Sequence, residues 1–145
     1  MCVVTCSSPK RAEAVSAELT LGIASLSFPA ADPDVAPVVA ALENPVQVKV
    51  KVRGDKGVPV VAQLTALAGG DLISGPDRIA IEQVSWSGAG SGFLSGVFSA
   101  TESQLVGQWS GDITVNGDLR FWLANSWTYA SGEYSQTVVY TLVAY

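Results

Sequence analysis

Residues Val46–Arg53 read VQVKVKVR, a strict alternation of valine with polar side chains. Successive side chains of a β-strand point to opposite faces, so this stretch predicts a strand with one buried and one solvated face. The next four residues, GDKG at 54–57, are typical of a tight turn. We therefore expect a hairpin whose return strand, residues 60–66, buries its even-numbered residues.

Strand patterns and turn signals alternate along the rest of the chain, and no long stretch has helical periodicity. Further strands are predicted around residues 79–86, 93–100, 105–109, 119–123 and 133–143. Seven or eight short strands at this spacing predict an all-β fold, an immunoglobulin-like antiparallel β-sandwich with an extended N-terminal arm. The residues expected to be mostly buried in it are Val48, Val50, Val52, Leu64, Ile81, Phe121, Leu123, Val138, Tyr140 and Leu142.

A proline-rich segment, residues 29–37, interrupts this pattern. Prolines cannot donate to a β-ladder, so the segment is predicted to be an ordered loop or an edge connection. Residues 38–42 are compatible with a short helical turn, which the Asn44-Pro45 pair would end.

The N-terminal arm has its own alternation of apolar residues. The apolar positions are all odd-numbered: Val15, Ala17, Leu19, Leu21 and Ile23. Leu26 and Phe28 fall on even positions, and a shift of one residue sends side chains to the opposite face of a sheet. The shift from odd to even positions indicates either a β-bulge in one long strand or two strands in series, the first available to complete another copy.

We divide the chain into an arm, residues 1–24 with candidate donor strand 15–23, and a sandwich domain, residues 25–145.

Composition argues against several classes of partner. The net charge is -5, and basic residues occur at most in pairs, so nucleic acid is not an expected partner. No apolar run approaches the roughly 20 residues of a membrane helix. Charged residues make up only 14% of the chain, against about a quarter in average soluble domains, which favours an extracellular or cell-surface protein. No secretory leader is evident at the start, and we expect that one was removed.

Neither catalysis nor a cofactor is expected. The chain has no histidine, which argues against a zinc site or a Cys-His nucleophile. Asp71 with Asp77, or Asp112 with Asp118, would be candidate glycosidase pairs, but all four lie in turn-like sequences where Asp is favoured for local hydrogen bonds. The Asp32-Pro33-Asp34 segment offers two oxygen donors for calcium without further acidic neighbours, so no metal site is predicted.

Two cysteines and two of the four tryptophans are candidates for intermolecular contacts. In an extended strand Cys2 and Cys6 would be roughly 13 Å apart, too far for a disulfide between them. They are either incidental or an inter-subunit disulfide. Trp122 is out of phase with the core positions around it, and Trp122 and Trp127 are the candidate surface aromatic contacts for glycans. Trp86 and Trp109 are expected in the core.

The C-terminal strand resembles that of bacterial pilin and spore-coat-U-like proteins. Its Val138, Tyr140 and Leu142 match their alternating apolar positions, and Gly132 matches a glycine that precedes them. The resemblance covers the last fourteen residues and, more loosely, the alternating arm. Residues 71–86, 90–93 and 123–132 also look like a group of uncharacterised secreted bacterial proteins with this kind of sandwich.

The pilin resemblance implies assembly by donor-strand exchange, in which the arm of one subunit fills a groove in the next. Val15–Ile23 would then pair with another copy, beside its C-terminal strand. The predicted function is therefore a structural subunit of an extracellular fibre or surface coat, whose partners are other copies of itself. The alternative is a monomeric secreted carbohydrate-binding or adhesion module.

Overall fold

The computed structural model of the chain describes residues 2–6 and 15–145, which contain thirteen strands. In chain order the strands are β1 (Cys2–Cys6), β2 (Ser16–Leu21), β3 (Ser25–Phe28), β4 (Val38–Ala40), β5 (Val46–Arg53), β6 (Val61–Ala68), β7 (Leu72–Ser74), β8 (Asp77–Ile79), β9 (Val84–Ala89), β10 (Gly96–Val97), β11 (Gln104–Ser110), β12 (Ile113–Ala124) and β13 (Tyr134–Ala144). A 3₁₀ turn, Ile81–Gln83, separates β8 from β9.

The strands form two sheets that pack face to face. The first has the order β11-β6-β13-β7-β8, with β1 and β3 also paired to β13. The second has the order β10-β9-β12-β5-β2, with β4 also paired to β12. The predicted antiparallel β-sandwich is confirmed.

The core lies between the sheets and contains all ten residues predicted to be buried, none of which is more than 3% exposed. Trp86 and Trp109 are buried as expected. Phe98 contacts the rings of Trp86 and Phe121, with centroid separations of 5.1 and 5.9 Å. Among residues 15–145 no polar or charged residue is buried, so the core is held together by apolar burial.

The predicted hairpin at residues 54–57 is wrong, because β5 and β6 belong to different sheets. The connection crosses from one layer to the other, and the backbone N–H of Gly54 donates to Asp112 Oδ1 at 2.8 Å. β5 pairs with β2 and β12 instead, and β6 pairs with β11 and β13. Alternation identifies a half-buried strand, but both sheets of a sandwich have such strands, so it does not identify the partner.

The predicted helical turn at residues 38–42 is also wrong. Val38–Ala40 is the short strand β4, paired with the end of β12. Beside it, Asn44 Nδ2 donates to the carbonyl of Phe121 at 2.8 Å, and the Phe121 N–H donates to Asn44 Oδ1 at 2.8 Å. The side-chain amide of Asn44 thus makes two hydrogen bonds to Phe121, as the backbone of a neighbouring strand would.

Of the strand predicted at residues 93–100, only Gly96–Val97 forms a strand, β10, which pairs with β9.

The phase shift in the arm corresponds to a crossing between the sheets. β2 pairs with β5 in the second sheet, whereas β3 pairs with β13 in the first. Leu26 and Phe28 are fully buried, while Ile23, at the crossing, is 41% exposed. The shift therefore reflects two strands in series and not a β-bulge in one long strand, and the availability of the first strand to another copy stays a prediction.

Candidate functional site

The side of the sandwich closed by the arm is the first candidate site. β13 pairs with β6 along one side and with β1 along the other, where Cys2 lies opposite Tyr140 and Cys6 opposite Ala144. β3 occupies the same side as β1 but pairs only with residues 134–137. In the other sheet β2 is the edge strand, and it contacts β1 across the sandwich. The two arm strands thus close one side of the sandwich together.

The apolar face of β2 points toward the core, as its alternation predicts. Val15, Ala17, Leu19 and Leu21 are partly buried and pack against core residues. Their neighbour in the sheet is β5 of the same chain, with Leu19 opposite Val50. The predicted place beside the C-terminal strand is therefore occupied by β1, and not by residues 15–23. Exchange between copies stays a prediction.

The pilin-like end of the chain forms the centre of the first sheet. Val138, Tyr140 and Leu142 are fully buried in the core. Gly132 lies just before β13, and a Cβ there would come within 2.5 Å of Ser74 Oγ. A side chain at this position would therefore require the Ser74 hydroxyl to rotate away, whereas Ser74 Cβ, 3.5 Å from the added atom, would be in ordinary contact.

Cys2 and Cys6 lie at the two ends of β1. Because the backbone between them is an extended strand, their α-carbons are roughly 13 Å apart, beyond the reach of a disulfide. A link to another chain stays a prediction.

β1 differs from the other strands of the described residues in its direction. It pairs with β13 in parallel, whereas all the other pairs between strands are antiparallel. Parallel ladders are slightly less stable per residue than antiparallel ones. β1 is therefore held to the sheet by the weaker type of ladder.

A cleft of about 350 Å³ at the end of the sandwich where β13 begins is the second candidate site. Its walls are two loops, the proline-rich segment of residues 29–37 and residues 125–132. Trp127 borders the cleft and is 67% exposed, and half-buried Tyr129 also lines it. The sequence singled out Trp127 but contained no signal that Asp34 would lie near it, because the two residues are 93 positions apart and come together only through loop packing.

Trp122, the other tryptophan predicted at the surface, lies on β12 between buried Phe121 and Leu123. It faces away from the core, as its phase predicts, and is half-buried. Trp122 and Trp127 therefore do not form one aromatic surface, because Trp122 is not among the residues that line the cleft.

Three of the acidic residues considered for catalysis or calcium accept hydrogen bonds from backbone N–H groups. Asp71 Oδ1 accepts the N–H of Ile81 at 3.1 Å, and Asp112 holds Gly54 as described above. Asp32 Oδ1 accepts the N–H of Asp34 at 2.9 Å. The described residues contain no group of three or more potential metal ligands, and none of their helices is long and apolar enough to cross a membrane.

No protein-family model, curated protein or solved structure matches this chain. The proposals below therefore rest on its geometry and on the resemblance seen in its sequence.

Proposed function

We propose that the protein is a structural subunit of an extracellular fibre or coat that assembles by exchanging its N-terminal arm between copies. One observation carries the proposal: β1 and β2 close the same side of the sandwich, one strand in each sheet. Without residues 1–24, β5 and β13 would expose unpaired edges on that side, and open edges are templates for strands of another chain.

The contacts of the arm are the same whether the arm belongs to its own domain or to a neighbour. Exchanging an identical element between copies is a low-cost route to association. If each arm fills the next copy and the rotation between subunits does not close a ring, the product is a filament. The resemblance of the C-terminal strand to those of pilins favours this outcome over a closed dimer.

The hinge for exchange would be residues 22–23, where the chain leaves β2, because the Ala24 carbonyl already accepts the N–H of Val138 on β13 at 2.8 Å. The Gly22 N–H donates to the carbonyl of Gln47 at 3.2 Å, which is the last backbone contact of the arm with β5. Ile23 is partly exposed here, so few core contacts oppose a change of direction. A straightened hinge would carry β1 and β2 away from their own domain as one unit.

The arm is held by the backbone ladders of β1 and β2 and, in part, by apolar burial. Four of its apolar side chains are partly buried. At about 1 kcal/mol for each half-buried side chain, they contribute on the order of 4 kcal/mol before the entropy cost of association. The low share of charged residues fits a surface that is partly covered by further copies.

The sharpest test links β2 to its partner strand covalently. Glu18 on β2 lies opposite Lys51 on β5, and both side chains are exposed. In a variant with Cys2→Ser and Cys6→Ser, we introduce Glu18→Cys and Lys51→Cys and oxidise the assembled protein. Exchange predicts a ladder of covalent multimers on a non-reducing gel, whereas an arm kept by its own domain gives a linked monomer.

The matched control keeps Lys51→Cys and pairs it with Thr114→Cys on the other side of β5. That link lies within the body of the sandwich and should give linked monomers only. Multimers from the control would show random collision, and linked monomers from the arm pair in assembled material would refute exchange.

A second test removes the arm. A version starting at Ser25 should aggregate or unfold at a lower temperature, and an added peptide of residues 1–24 should restore the stability of a single domain. Equal thermal stability of the two versions as monomers would refute the proposal, because the arm would then complete nothing.

A further inference from the structure

We propose that the cleft between residues 29–37 and 125–132 is a binding site for a neutral saccharide, with the exposed ring of Trp127 as its platform. The site lies at the end of the sandwich where β13 begins, and its contacts involve no arm residue. The inference does not depend on self-assembly.

Trp127 is exposed and also held in place. Its indole N–H donates to Asp34 Oδ1 at 3.0 Å, which ties one wall of the cleft to the other. A single exposed apolar side chain needs no explanation by itself. The hydrogen bond to a residue 93 positions away favours one orientation of the ring and so reduces the conformational entropy that the side chain would lose when a ligand binds.

Hydrogen bonds hold the loop that carries Trp127 both before and after the tryptophan. Asn125 Nδ2 donates to the carbonyls of Ala31 and Ala36, each at 3.1 Å. On the other side of the tryptophan, the Thr128 N–H donates to Ser126 Oγ at 3.2 Å. The position of the ring is therefore set by several hydrogen bonds between and within the loops.

The chemistry of the cleft fits a sugar ring. The apolar face of a pyranose stacks on an aromatic ring, and its hydroxyl groups bind polar side chains and backbone carbonyls at the rim. The cleft supplies the aromatic side chains of Trp127 and half-buried Tyr129, and Ser126 and Ser131 also line it. Its volume of about 350 Å³ is at the lower end of ligand sites, which suits one or two sugar units.

Charge narrows the class of saccharide. Of the residues that the structure describes, those lining the cleft include no lysine or arginine, while Asp32 lines it and Asp34 lies next to Trp127. An acidic sugar would meet carboxylates without a cation to offset them. A neutral saccharide has no such penalty.

The experiment measures retardation of the full-length protein in native gels that contain soluble mannan, galactomannan or mixed-linkage β-glucan, with alginate as an acidic comparison. We expect retardation by at least one neutral polymer and none by alginate. Trp127→Ala should weaken that binding roughly tenfold or more, and Asp34→Ala should weaken it less, because the ring stays but is no longer fixed.

Two controls keep the result specific. Trp122→Ala removes a half-buried tryptophan outside the cleft and should leave retardation unchanged. Trp127→Tyr retains an aromatic face and should recover part of the binding, which separates stacking from a folding defect. Thermal melting of each variant checks that the fold is intact.

Failure of all three neutral polymers to retard the protein would overturn the inference. So would retardation that survives Trp127→Ala, or binding of alginate. Displacement of the bound polymer by choline at low concentration would also overturn it, because the two aromatic rings and nearby carboxylates would then form a site for a quaternary ammonium ion.

Discussion

The two ends of the chain meet on one sheet but are held there in different ways. β13 is central, flanked by strands on both sides, and its inward side chains are fully buried. The arm supplies an edge strand to one sheet and a parallel strand to the other, and the apolar side chains of β2 are only partly buried. This difference separates the firmly packed body of the sandwich from the arm that we propose is exchanged.

Leucine truncation should show the largest contrast between the two regions. Leu142→Ala removes a fully buried side chain from the centre of the core and should lower the free energy of unfolding by about 3 kcal/mol. Leu19→Ala, in half-buried β2, should cost about 1 kcal/mol, because less surface leaves water there. Urea unfolding of monomeric protein measures both, and equal losses would show that the arm is as firmly packed as the core.

Substitution of glycine by alanine should also destabilise the body of the sandwich more than the arm, but by a smaller difference. A Cβ at Gly117 on β12 would lie 2.7 Å from the carbonyl oxygen of Ala89 and would also collide with the ring of Phe93. We expect Gly117→Ala to destabilise the fold by about 2 kcal/mol. At Gly22, in the proposed hinge, the nearest atom is 4.0 Å away, so Gly22→Ala should change stability by less than about 0.5 kcal/mol. A large effect at Gly22 would mean that the hinge is tightly packed.

Tyr134, at the start of β13, should make the stability of the sandwich depend on pH in the alkaline range. Burial of Tyr134, and secondarily the negative charge of Asp77, raises the pKa of its hydroxyl above the usual value. The unfolded tyrosine ionises near pH 10 while the folded one stays neutral, so stability is unaffected at neutral pH and falls as pH rises above about 10.

Tyr134→Phe should reduce this alkaline loss. At neutral pH it should cost about 1 kcal/mol for the hydrogen bond from the hydroxyl to the carbonyl of Ala130. Urea unfolding at pH 7 and at about pH 10.5 tests both effects. An identical alkaline loss in the variant would assign it to another group.

The smallest effect is expected from the ion pair on the arm. Glu18 and Lys51 are 3.8 Å apart, with side chains 72% and 47% exposed. Glu18→Gln should change the free energy of unfolding by less than about 0.5 kcal/mol, and added salt should remove the difference. A loss above about 1 kcal/mol would show that charge, in addition to apolar burial, holds β2 to β5.

The sequence predicted the core well because burial follows from local alternation. Val48, Val50 and Val52 could face only one way once the strand was identified, and all three are buried. It predicted the partners of strands poorly. The GDKG segment has the composition of a hairpin turn, yet it connects the two sheets, because the pairing of β5 is decided by β2 and β12, which are distant from it in sequence.

The candidate sites, like the fold, could be predicted only in part from the sequence. The sequence by itself determined the all-β class, the inward residues of each long strand and the change of face between Ile23 and Leu26. These properties depend on the two-residue period of a strand and on local turn chemistry. Only the tertiary structure decided that β1 and β2 close one side of the sandwich and that Asp34 accepts a hydrogen bond from Trp127. Such contacts join residues far apart along the chain, and no local pattern encodes which distant segments will pack together.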